Sequence, residues 1–77
     1  MNIYLITRDK EYQVDYDEFV EAVVCASNEK DAAAIHPSGE DVEDGSWVSA
    51  DKVDVKLIGK AGSNIKRGVI SAWFLAG

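Results

Sequence analysis

The sequence predicts a small α+β domain: a four-stranded antiparallel sheet with one short helix on one face, in the order β-β-α-β-β. Three observations predict it. Four segments rich in strand formers, 2–7, 17–27, 53–60 and 68–77, are separated by turn-rich stretches. One segment, SNEKDAAAIHP (27–37), carries a helix start, a run of alanines and a proline stop. The chain has 77 residues, 47% apolar and 29% charged. That is enough for one thin core, so a single domain over 1–77 is expected.

Each element has its own signal. NIYLIT (2–7) is the first strand, and RDKEYQVDY (8–16) is a polar hairpin connection. On DEFVEAVVCAS (17–27), period two gathers Val20, Ala22, Val24 and Ala26 on one face and Phe19, Glu21, Val23 and Cys25 on the other. The first set is the cleaner core face. In the helix, Ser27 or Asn28 can cap, and Glu29 and Asp31 sit in the first turn, where the dipole favours acids. Pro37 stops it, leaving Ala33, Ala34 and Ile35 as its apolar stripe with Ala32 at the edge. SGEDVEDGS (38–46) is a loop, WVSADK (47–52) a short strand and a turn, and AGSNIKRG (61–68) a hairpin loop. VDVKLIGK alternates, with Val53, Val55 and Leu57 inward and Asp54 and Lys56 outward.

GVISAWFLAG (68–77) is apolar on both faces: Ile70, Ala72 and Phe74 on one, Val69, Ser71, Trp73 and Leu75 on the other. A helix of about ten residues is roughly 15 Å long and covers only the middle of one sheet face. The opposite face is then open, and Phe19, Val23, Cys25, Ile58, Trp73 and Leu75 are expected on it. An apolar patch of that kind marks a protein contact. Val23, Cys25, Trp73 and Leu75 are the candidate self-association residues. Cys25 shares its face with Glu21, which argues for partial exposure and for a disulfide-linked homodimer through Cys25.

Charge is unevenly distributed. The net charge is −6, yet all 14 acids lie in residues 1–54, where only Arg8, Lys10, Lys30 and Lys52 oppose them. That segment is ten units negative, while residues 55–77 hold Lys56, Lys60, Lys66, Arg67 and no acid. Such a chain does not bind phosphates through its acidic part; it fits a basic partner. Alternate residues on an extended segment lie roughly 7 Å apart, of the order of phosphate spacing along a nucleic-acid strand. Asp15, Asp17, Glu18 and Glu21 form the first candidate partner-binding set, and Glu40, Asp41, Glu43 and Asp44 the second.

Catalytic chemistry finds little material. There is one histidine and one cysteine, and a nucleophilic pair would require Cys25 and His36 to meet. The ligands of a zinc site are lacking. EDVEDGS (40–46) has the composition of a calcium loop without its ligand spacing. No catalytic residue, metal or cofactor is expected. The apolar run at 2–7 is too short for a signal peptide or a membrane span, and no later run reaches spanning length. A soluble, intracellular protein is expected, with no membrane partner.

The segments IYLITRD, YDEFV, SNEKDAAAIHP, WVSADKVDVKLIG and GVISAWFLAG together resemble small proteins encoded by phages and prophages, among them anti-CRISPR inhibitors, nearest those of type I-C systems. The resemblance runs over nearly the whole chain. It implies a non-enzymatic protein that works in the cytoplasm of the infected bacterial host. It further implies stoichiometric binding to a CRISPR effector complex, at the basic surface that holds DNA. The alternative is a small phage structural or regulatory protein acting through protein contact or homodimerisation.

Overall fold

A strand flanked on both sides must satisfy two ladders of backbone hydrogen bonds, and the chain assigns that position to its first two strands. The structure, a computed structural model, describes residues 1–8, 18–39 and 47–75. Its strands are β1 (Asn2–Arg8), β2 (Glu18–Ala26), β3 (Val53–Lys60) and β4 (Gly68–Leu75), with α1 (Glu29–Ala33) between β2 and β3. They form one antiparallel sheet in the order β3-β1-β2-β4. The small α+β fold read from the sequence is the fold observed.

Connectivity corrects one reading. Residues 61–68 do not close a hairpin, because β3 and β4 lie on opposite edges of the sheet. The connection crosses the end of the sheet instead. It leaves β3 with the Ala61 N–H donating to the Met1 carbonyl at 3.1 Å. It is tied to α1 by Arg67, whose Nη2 lies 2.8 Å from Asp31 Oδ1. Adding one strand to each side of the β1–β2 pair satisfies both central backbones, which a β3–β4 hairpin would not.

Two bulges set which side chains face the helix. Phe19 pairs Phe74 and Glu21 pairs Trp73, so Val20 is an extra residue on β2. The alternation reverses there. Phe19 consequently turns to the helix side, where its ring meets His36 and Phe74 edge-on at centroid distances of 5.9 and 4.9 Å. The expected grouping of Phe19 with Glu21, Val23 and Cys25 is overturned. On β4, Val23 pairs Ser71 and Val24 pairs Val69, leaving Ile70 as the extra residue. Val69 thereby joins Ala72 and Phe74 on the helix side. A third irregularity lies at Ile58, which has no opposite residue on β1.

The helix is half the expected length. Asn28 is its N-cap, its side chain accepting from the Asp31 N–H at 2.8 Å; Asp31 in turn accepts from the Ser27 N–H at 3.1 Å. This reciprocal cap fixes the start. The end at Ala33 follows from Pro37, whose ring would collide with the Ala33 carbonyl if the helix ran on. A five-residue helix is only about 7.5 Å long. Its buried contribution is Ala32, with Ile35 just beyond; Ala34 is exposed and Ala33 half-buried, so the expected stripe is shifted. The expected strand within 47–52 is replaced by a 3-10 turn at Ala50–Lys52.

The core comprises Tyr4, Ile6, Ala22, Val24, Ala26, Ala32 and Ile35, with Trp47, Val53, Val55 and Val69 packed around it. Trp47 thus anchors to the core the chain that follows 40–46. Leu57, opposite Tyr4, shares this face yet is 55% exposed, against expectation.

Cys25 is the main correction. It pairs Ile3 and Gly68, on the face opposite the helix, and is completely buried. The expected partial exposure rested on its sharing a face with Glu21, but Cys25 lies at the end of the sheet that the 61–67 connection crosses. A buried thiol does not reach a second copy, so the disulfide-linked dimer is not carried forward. Native protein should therefore react with an aromatic disulfide reagent only after unfolding. Cys25→Ser should lower stability by about 1–3 kcal/mol in urea melts, through an unpaired buried hydroxyl. Rapid labelling of the folded chain would contradict this burial.

Candidate functional site

Strand alternation creates the first candidate region. Leu5 and Val23 are paired across β1 and β2, and Trp73, opposite Glu21 on β4, lies diagonally from Val23, all on the face away from α1. Trp73 is 55% exposed, while Leu5 and Val23 are half-buried. A shallow hollow of about 110 Å³ lies among Leu5, Glu21, Val23, Ser71 and Trp73. Register places Thr7, Glu21, Lys56 and Asp54 around this apolar strip. An apolar centre with a polar margin is the anatomy of a protein contact. Of the expected self-association residues, Val23 and Trp73 meet here, and Leu75 follows Trp73 at the end of β4. Cys25 is withdrawn from the set by its burial.

The second region is electrostatic. β1 ends, β2 begins, β3 begins and β4 ends at the same end of the sheet. The chain leaves the sheet there at Arg8 and re-enters it at Glu18, and Trp47 and the 3-10 turn lead into β3 at that end. The other end receives Lys60, Lys66 and Arg67 around the 61–67 connection. Topology thus sorts the attachment points of acid-rich and basic segments to opposite ends.

Within the acidic set, Glu18 is paired. Arg8 Nη1 donates to Glu18 Oε2 at 2.9 Å and to the Phe19 carbonyl at 3.2 Å. Both side chains are largely buried, 10% and 20% exposed. Glu21 is half-buried on the open face, across from Trp73. Asp15, Asp17, Glu40, Asp41, Glu43 and Asp44 lie outside the described residues, as does the 40–46 segment weighed for calcium. Among the described residues, no group of three or more His, Cys, Asp and Glu is placed to hold a metal.

A larger hollow of about 360 Å³ lies on the helix side among Ile35, His36, Gly39, Arg67 and Val69. Its polar groups are engaged in structure. The Arg67 guanidinium binds Asp31, and His36 Nδ1 accepts from the Ser38 N–H at 3.1 Å. The Arg67 hydrogen bond holds the Asp31 carboxyl below its ordinary value, and the same bond raises Arg67. Asp31 therefore supports the fold above the usual carboxylate range, and that support fades as pH falls through its lowered pKa. Cys25 and His36 lie on opposite faces of the sheet, so the pair weighed for nucleophilic chemistry is not brought together.

The sequence reading missed the Arg8–Glu18 and Asp31–Arg67 pairs. The second spans 36 residues and no local pattern signals it. Compared with protein-family models, curated proteins and solved structures, the chain matches none. Among the described residues, no helix is long and apolar enough to cross a membrane.

Proposed function

We propose that the chain is a non-enzymatic inhibitor that sets its acidic end against the basic, DNA-holding surface of a type I CRISPR surveillance complex and blocks target binding. The observation that carries the reading is charge polarity: residues 1–54 are ten units negative, and their densest acidic runs attach at one end of the sheet. The field of such an end steers it toward a Lys/Arg-rich groove and away from nucleic acid. The CRISPR target itself comes from the resemblance of the segments quoted above. The bacterial cytoplasm is the corresponding site of action.

Target-DNA binding by purified type I complexes, with the chain titrated in, tests the proposal. Loss of binding at stoichiometric ratio is expected. Reversing Asp15, Asp17 and Glu21 to lysine, or Glu40, Asp41, Glu43 and Asp44, should weaken inhibition by at least about tenfold and flatten its salt dependence. Glu18 is left out because Arg8 already neutralises it. Full inhibition after both reversals would defeat electrostatic blocking.

The open face with Trp73 favours a second reading, a small phage structural or regulatory protein that works by protein contact. Affinity capture from hosts with and without a CRISPR system separates the two. The same non-CRISPR partner in both would select the second.

A further inference from the structure

Among the described residues, the one protective feature of the edge strand β4 is its bulge at Ile70. Exposed edges are normally blunted by charge, proline or a covering segment. β3, the other edge, carries Asp54, Lys56 and Lys60. β4 carries no charged residue and no proline over Gly68–Leu75, and its residues 70–74 are all exposed. Among the described residues, no backbone hydrogen bond reaches β4 except from β2.

We infer that β4 is a self-pairing edge, and that a second copy of this chain adds to it antiparallel about a two-fold axis near Ala72. Charge complementarity selects the occupant. β4 runs from the basic end of the sheet, at Lys66 and Arg67, to the end where it pairs Glu18 and where residues 9–17 attach. Antiparallel pairing sets the basic end of each copy beside the acidic end of the other. Parallel pairing would align like with like. Centred on Ala72, the pairing also puts Trp73 of each copy across from Ser71 of the other, a large side chain over a small one on the open face. A single added strand buries little surface, so the dimer is weak and concentration-dependent.

Sedimentation equilibrium over a wide concentration range tests this. The mass should rise from one chain of 8.4 kDa to two. The dissociation constant should rise by about tenfold between low and high salt. Ala72→Lys, which sets two cations across the axis at an exposed position, should hold the chain as a folded monomer by circular dichroism. Leu57→Lys, exposed on the opposite edge strand β3, should leave the dimer intact. Hydrogen exchange of the unaltered chain gives a readout independent of variants: amides within 70–74 should slow as concentration rises. A single-chain mass throughout, unchanged exchange, or a dimer that survives Ala72→Lys would overturn the inference.

Discussion

Ile6→Ala should cost about 3–4 kcal/mol of unfolding free energy. Ile6 is completely buried on the central strand β1. Its cross-strand neighbours are Ala22 and Val55, both small. They cannot collapse into the space that an alanine would leave. A domain of this size has roughly 4–12 kcal/mol of stability in total. The variant should therefore unfold at markedly lower urea concentration and show native-like signal only at low temperature. Leu5→Ala supplies the contrast. Leu5 is adjacent in sequence but half-buried on the open face, so it should cost about 1 kcal/mol. Equal losses at the two positions would mean that the second face is covered after all.

The contrast also bears on what the sequence could reveal. Strands and turns were legible because local chemistry dictates them: VDVKLIGK matches β3 residue for residue, and Asn28 caps the helix as its side chain requires. Facing was legible only until the first bulge. Nothing in FVEAVV announces that Val20 is unpaired, because the extra residue exists only relative to β4, more than fifty positions later. The same non-local cause hid the crossing at 61–67. Gly and Asn mark a turn there, but a turn signal does not say which strand the chain meets next. Cys25 failed for a related reason. Alternation assigns a face, and burial also depends on what crosses that end of the sheet. At the acidic end, composition identified the acids, while the neutralisation of Glu18 required knowing that β1 ends beside the start of β2.

That neutralised pair carries the second large effect. Arg8→Ala should destabilise the fold by about 2–3 kcal/mol, below the usual cost of breaking a fully buried pair because Glu18 keeps some contact with water. Two interactions are lost together. The Glu18 carboxylate is left largely buried without its cation, and the Phe19 carbonyl loses its donor. Phe19 belongs to the edge-on contacts with Phe74 and His36, so the loss reaches the helix side of the sheet. Arg8→Lys should recover only part of the stability, because a mobile ammonium must reproduce two bonds that leave one guanidinium nitrogen, Nη1, in fixed planar directions. Glu18→Gln keeps the side-chain volume and removes the charge that needs pairing, so it should cost less than Arg8→Ala. In the double variant the glutamine should offset part of the arginine's loss, giving a measurable coupling in a double-mutant cycle. Independent, additive effects would show that Arg8 acts through the Phe19 carbonyl alone. The start of β2 would then be held to the end of β1 by backbone hydrogen bonding and not by charge.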